Sequence, residues 1–304
     1  MLKAASLLVG AFFLLSATEN TACAKDQSAD HFELQDLLPL SLQKNPRVQL
    51  AVITEFTAEG KKATPATPQN PVYYVASDKG LTTSGDGIAG EKSPPLKRLA
   101  DALEKALATN GYLPADKTHP PTLLISYRWG SFNHLETSLN LPTDVPSTEK
   151  LGGLAQVQVN DISPMDERQQ QNLVERAAIV GGTQFSFEVR RALHDGHLKE
   201  FRLRDVPTSQ LMDQAEQDLY YIIASAYDYH AVQEGEEKLL WCTKISTASQ
   251  GMEMDTTLPQ LLTNAAPYFG REMDKAEPFR VRIYKGKVEM GAPKVEGYIA
   301  APGK

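Results

Sequence analysis

Residues 219–247 read LYYIIASAYDYHAVQEGEEKLLWCTKIST, and this stretch decides the fold that we expect of the chain. Two runs rich in aromatic and β-branched residues flank a charged break, Gln233–Glu237, whose single glycine suits a solvent-facing turn. The pattern predicts a β-hairpin. Both faces of its first strand are largely apolar, with Tyr220 and Ile222 on one face and Tyr221 on the other. We therefore expect a central strand that is covered on both sides.

Apolar periodicity predicts the elements around this hairpin. Alternation predicts a strand at Arg47–Phe56, and a leucine spacing of three, four and four predicts a helix from Leu96 to Leu107. Around Gly181-Gly182, one kinked helix and two separate helices are equally acceptable. The other expected elements are strands at Val72–Val75 and Thr122–Trp129, and helices within Asp166–His194, from Pro207 to about Gln217 and at Asp255–Asn264.

The order of these elements predicts an α+β fold. We expect a mainly antiparallel sheet covered by helices on one face, with a helical insertion. One domain is expected from residue 25 to residue 270, with the insertion at about 130–217, and residues 271–304 form a C-terminal hairpin or a flexible tail. Residues 130–170 carry the weakest pattern, and so long a segment is expected either to serve this protein's own function or to be partly disordered.

The first 24 residues predict export from the cytoplasm. Lys3 precedes an apolar run that is too short to remain as a membrane-spanning helix, and small residues follow at a cleavage-like spacing. Cleavage after Ala24 is preferred over lipidation at Cys23, because Asn20 stands where a lipoprotein signal has leucine. We expect a periplasmic or envelope-associated protein, whose only membrane attachment would be a lipid anchor at Cys23.

Composition excludes several classes of partner. The chain has 304 residues and a formal net charge of −7, without a dense cluster of lysine and arginine. A nucleic-acid partner and an anionic lipid surface are therefore not expected. If Cys23 leaves with the signal peptide, Cys242 is the one remaining cysteine, which excludes an internal disulfide and a two-cysteine metal site. No sequence motif indicates a cofactor.

The strongest candidates for chemistry are Asp228 and His230. They lie two residues apart in the expected strand, so they share a face, and Asp218 and Glu216 are nearby in the sequence. A hydrolase would use this acid and this imidazole with a metal or a water molecule. The alternative is that both are solvated residues at a hairpin end, which the lack of a Gly-x-Ser-x-Gly motif favours.

Two further groups of charged residues have simple interpretations. His194 and His197 lie three residues apart, but two ligands without a third are more often loop residues, so no metal site is expected. Four arginines are interpreted as solvated faces, with a patch for an anionic partner as the alternative. These arginines are Arg190, Arg191, Arg202 and Arg204.

Four pieces of the chain carry a resemblance to one family. They are the helix end at Leu107–Tyr112, the strand Leu123–Trp129, the pair Leu240-Trp241 and the helix Leu258–Ala265. Over about half of its length the chain resembles an uncharacterised family of exported bacterial proteins, many of them lipoproteins. The resemblance implies an envelope location and an α/β sandwich, and the family supplies no catalytic residues. Gly130–Gln217 departs from its pattern.

The sequence thus favours a non-catalytic exported envelope protein that binds an envelope protein or a small ligand. The insertion and the aromatic face of the hairpin are the expected binding surfaces. The alternative is the hydrolase that uses Asp228 and His230. A hydrogen-bonded contact between those two side chains in a concave pocket would favour the enzyme.

Overall fold

A seven-stranded sheet lies at the centre of the computed structural model, which describes residues 38–39, 41–87, 91–134 and 165–284. The predicted signal peptide with Cys23, residues 135–164 of the predicted insertion and the tail from residue 285 lie outside this description. The strands are β1 (Arg47–Phe56), β2 (Val72–Leu81), β3 (Tyr112–Pro114), β4 (Leu123–Phe132), β5 (Leu219–Asp228), β6 (Leu239–Ala248) and β7 (Glu277–Arg282). The helices are α1 (Leu96–Ala108), α2 (Glu167–Val180), α3 (Gly182–His194), α4 (Leu198–Arg202), α5 (Val206–Ala215), α6 (Tyr229–Gln233) and α7 (Met254–Ala265).

The strand order across the sheet is β3-β2-β4-β5-β6-β1-β7. Neighbouring strands are antiparallel except at β2, which pairs in parallel with β3 and β4. The hairpin of β5 and β6 is central, with Ile222 opposite Ile245, and β4 and β1 flank it on its two sides. The predicted α+β fold with a mainly antiparallel sheet is confirmed, and the described residues belong to one compact unit.

Helices cover both faces of the sheet, which corrects one detail of the prediction. Tyr220 and Ile222 pack on one face with α1 and α7. Tyr221 and Ile223 point to the other face, where α2, α3 and α5 form a second core with them. The helices of the predicted insertion therefore supply the second layer. The physical reason is the apolar character of both faces of β5, which leaves neither face able to remain in water.

The sheet also extends beyond the predicted domain boundary at residue 270. β7 pairs antiparallel with β1, with Val281 opposite Val48 and Phe279 opposite Leu50. The side chains of Phe279 and Val281 pack against the core on the α1 and α7 face. This part of the predicted tail is an edge strand of the main sheet, because its alternating apolar residues complete that core.

Two separate helices meet at the glycine pair, one of the two alternatives from the sequence. Gly182 has φ +85°, a left-handed conformation that a residue with a side chain rarely adopts. The start of α2 is fixed by Asp166, whose carboxylate accepts the backbone N–H of Gln169 while the Gln169 side chain accepts the backbone N–H of Asp166. These two ends set the position of α2 over the sheet. In the described part of the chain no helix is long and apolar enough to span a membrane.

Candidate functional site

Asp228 and His230 form a helix cap, so the prediction that they share a strand face is wrong. The chain turns into α6 directly after β5, and Asp228 Oδ1 accepts the backbone N–H groups of His230 at 3.0 Å and Ala231 at 3.2 Å. The N–H of Ala231 is the largest influence that lowers the pKa of Asp228. The ring of His230 stands edge-on to Tyr229. This arrangement gives no support to the hydrolase interpretation.

The other charged residues predicted from the sequence have partners on the protein surface. His194 Nδ1 lies 3.0 Å from Asp195, and His197 Nδ1 lies 3.9 Å from Glu200. Among the described residues no group of three or more His, Cys, Asp or Glu side chains is placed to hold a metal ion. Cys242 is partly buried, and burial raises the pKa of its thiol.

The arginine group divides into ion-paired and stacked side chains. Arg202 pairs with Asp213 and, at 2.9 Å, with Glu216. Arg204 donates to Glu188 at 2.8 Å and to Asp205 at 3.1 Å. Arg191 lies 3.6 Å from Asp195, and Arg190 lies over the ring of Phe187. Arg202 and Arg204 thus already have carboxylate partners within the chain.

A different site lies where β4 ends beside α2. A cavity of about 360 Å³ opens there, and we call it the Arg176 cavity. His134 follows the end of β4, Glu216 follows α5 and Met165 precedes α2, while one face of α2 supplies the remainder. Its walls are formed by His134, Met165, Gln169, Asn172, Leu173, Arg176 and Glu216.

Arg176 is the unusual residue of this cavity. It is only 5% exposed, and its guanidinium lies over the ring of Phe132. Nη1 donates to the backbone carbonyl of Gln217 at 3.3 Å and lies 3.1 Å from the ring nitrogens of His134. Nε is buried without a hydrogen-bond partner, and no carboxylate pairs with the guanidinium in the described part of the chain.

Acidic groups close to Arg176 are occupied by other donors. Asp218 Oδ1 accepts both the backbone N–H and the ring Nδ1–H of His134, each at 2.6 Å. With the proton on Nδ1, the Nε2 atom of His134 is the acceptor for Arg176 Nη1. Burial lowers the pKa of Arg176, whereas the negative charges of Asp218 and Glu216 raise it. A guanidinium stays protonated in proteins, so the cavity wall carries a buried positive charge.

In the sequence Asp218 and Glu216 stand out only as neighbours of Asp228, and no motif points to His134 or Arg176. The Asp218–His134 contact joins residues 84 positions apart, and the Arg176–His134 contact joins residues 42 apart. One signal was present in the sequence. Arg176 falls at a buried position of α2, three residues after the buried Leu173, where the periodic pattern otherwise has apolar residues.

A second cavity provides a contrast on the same face of the sheet. Its volume is about 250 Å³, its walls come from α3, α5 and residues 274–276, and we call it the Arg204 cavity. Arg204 donates to Glu188, Asp205 and, at 3.0 Å, to the hydroxyl of Thr208. Its guanidinium also lies 4.9 Å from the ring centroid of Phe201. The positive charge of Arg204 is therefore balanced by carboxylates of the protein itself.

The chain was compared with known proteins by sequence and by structure. No protein-family model and no curated protein matches it. Among solved structures, a PDZ domain protein from Parabacteroides distasonis is similar over 79% of this chain, with a TM-score of 0.34 and 11% sequence identity. This chain spans 40% of the length of that protein, and a likeness of this extent carries no functional argument.

Proposed function

We propose that this chain is a non-catalytic, exported protein of the cell envelope that binds a small anionic ligand in the Arg176 cavity. One observation carries the proposal. Arg176 is buried, lines the cavity and has no carboxylate partner in the described part of the chain. Removing a charge from water is costly unless an opposite charge and hydrogen bonds replace the lost hydration. An anion bound in the cavity would supply both.

The same contacts favour binding over catalysis. General-base catalysis requires an imidazole nitrogen that is available to accept a proton from a substrate. In His134, Nδ1 donates to Asp218, and Nε2 accepts from the permanently charged Arg176. Both nitrogens are thus engaged in positioning the guanidinium. His134 and Asp218 act here as supports that orient Arg176.

A thermal-denaturation screen tests the binding site. The purified chain is heated with acetate, hexanoate, sulfate or hexyl phosphate, and the midpoint temperature Tm is measured. A ligand at 100 times its Kd stabilises the folded state by about 2.7 kcal/mol, so at least one anion should raise Tm by several degrees. Arg176→Gln should abolish this rise, and Arg204→Gln should retain it. A rise that persists in Arg176→Gln, or none with any anion, contradicts the proposal.

The intact mass of the chain recovered from cells tests the proposed export. A mass that begins at Lys25 supports cleavage after Ala24, and an acylated chain that begins at Cys23 supports a lipid anchor. Either mass agrees with an envelope protein. An unprocessed chain that begins at Met1 and is recovered with cytoplasmic proteins contradicts export.

A further inference from the structure

We infer that the ligand of the Arg176 cavity is a monocarboxylate that carries an apolar chain. This inference rests on the proposed function, because it specifies the ligand of the same site. Three observations lead to it, namely the free edge of the guanidinium, the charges around the cavity and the apolar side chains in its wall.

The free edge of the guanidinium fits a carboxylate. Nη1 is held by the carbonyl of Gln217 and the ring of His134. Nε and Nη2 make no hydrogen bond to any described residue, and Nε is buried. Nε and Nη2 share one edge of a guanidinium, and the parallel N–H groups of that edge match the two oxygens of a carboxylate in a bidentate pair. Arg176 is thus fixed by one nitrogen while its bidentate edge remains without a partner.

The surrounding charges favour a monoanion over a dianion. Glu216 lines the cavity, and Asp218 lies behind His134. Arg202 is a further cation beside Glu216, and it is shared between Glu216 and Asp213. Two cations therefore face three carboxylates. Glu216 and Asp218 repel every negative charge on the ligand, and Arg176 offsets one such charge, so a monoanion is favoured over a dianion.

Apolar side chains supply a surface for the rest of the ligand. Leu173 is 1% exposed and lines the cavity beside Arg176. Met165 forms another part of the wall, and its unbranched thioether side chain adapts to different ligand shapes. A volume of about 360 Å³ falls within the range of small-molecule sites. An alkyl chain attached to the carboxylate would be removed from water against these residues.

Isothermal titration calorimetry with four probes tests the inference. The probes are butanoate, hexanoate, hexanamide and hexyl phosphate. We expect hexanoate to bind more tightly than butanoate, by up to about fourfold per added methylene. Hexanamide lacks the charge, and it should bind roughly 10- to 100-fold more weakly than hexanoate. Hexyl phosphate should also bind more weakly than hexanoate at a pH where it is a dianion.

Three variants separate the contribution of Arg176 from unspecific binding. Arg176→Gln should weaken hexanoate roughly 10- to 100-fold, and Arg176→Lys should weaken it as well because lysine keeps the charge but loses the bidentate edge. Arg204→Gln, in the other cavity, is the matched control and should bind as the unaltered chain does. Circular dichroism at the titration temperature confirms that each variant is folded.

The possible outcomes distinguish the inference from the proposed function. If hexyl phosphate binds more tightly than hexanoate and depends on Arg176, the ligand class is wrong but the anion site stands. If hexanamide equals hexanoate, or if Arg176→Gln binds hexanoate unchanged, the carboxylate contact does not exist. If no probe binds, the inference is overturned, and the Tm screen with other anions then decides whether the proposed site survives.

Discussion

The Arg176 and Arg204 cavities lie on the same face of the sheet, but their arginine side chains differ in burial and in the number of carboxylate partners. The Arg204 side chain is 46% exposed and still has two carboxylates, a hydroxyl and an aromatic ring around it. Arg176 is 5% exposed and has a carbonyl, an imidazole and an aromatic ring. The charge that costs most to bury has the fewest charged partners. This difference is the reason we propose a ligand site at the Arg176 cavity and not at the Arg204 cavity.

Removing a buried leucine from each cavity should have the largest effect on stability. Leu173→Ala and Leu211→Ala each truncate a core side chain that also lines its cavity. Each should lower the free energy of unfolding by about 2 to 5 kcal/mol, as measured by urea denaturation. Only Leu173→Ala should also weaken hexanoate binding. Equal weakening in both variants would indicate that the loss of stability alone, rather than the cavity wall, reduces binding.

Replacing each arginine by methionine should change stability in opposite directions. Arg176→Met removes a buried charge without a carboxylate and should raise the free energy of unfolding of the ligand-free chain by about 1 kcal/mol. Arg204→Met removes exposed ion pairs and should lower it by about 1 kcal/mol. Urea denaturation of both variants at the same pH measures the difference, about 2 kcal/mol. A loss of stability in Arg176→Met would show that its bonds to Gln217 and His134 outweigh the cost of burial.

The junction between α2 and α3 lines the Arg204 cavity through Gly181, and at Gly182 it leaves little room for a methyl group. Gly182 has a positive φ, and a Cβ there would lie 3.1 Å from Glu55 Oε1 and from Ile53 Cγ1. Gly182→Ala should lower the free energy of unfolding by about 1 to 2 kcal/mol. Thermal denaturation measures this effect, and Gly196→Ala, which has a positive φ but open space around it, separates backbone strain from the contact. An identical loss in both variants would assign the whole effect to the backbone.

Asp228 lies in neither cavity and serves as a reference for ordinary capping. Asp228→Ala should lower the free energy of unfolding by about 1 kcal/mol at pH 7 and leave hexanoate binding unchanged. Because the folded-state pKa of Asp228 is lowered, its contribution is present above the unfolded pKa of about 3.9 and is lost as the pH falls through the lower folded value. The stability difference between the unaltered chain and Asp228→Asn should therefore shrink on acidification from pH 5. If the stability difference between the two proteins stays constant with pH, the titration of Asp228 is not its source.

The sheet was more predictable from the sequence than the site was. Apolar and polar residues alternate along a half-buried strand, so the local sequence shows which side chains face the core. β1 has the predicted bounds, and the β5–β6 hairpin was visible from its aromatic and β-branched runs. The five-residue helix α6 was missed, because a segment that short shows no period, and its omission produced the error at Asp228 and His230. β7 was placed outside the domain because its partner, β1, is distant in the sequence. Arg176 and His134 meet only through the tertiary fold, so no local pattern could pair them.

The most direct test of the account is the NMR signal of the Arg176 Nε–H group during addition of hexanoate. Arginine Nε–H correlations are assigned by comparison with Arg176→Gln and Arg204→Gln. We predict that the Arg176 signal moves strongly and saturates with the calorimetric Kd, because a carboxylate oxygen accepts its free N–H, while the Arg204 signal stays in place. An Arg176 signal that does not respond to hexanoate or to any other anion in the screen would contradict the central claim that this buried charge awaits an anionic ligand.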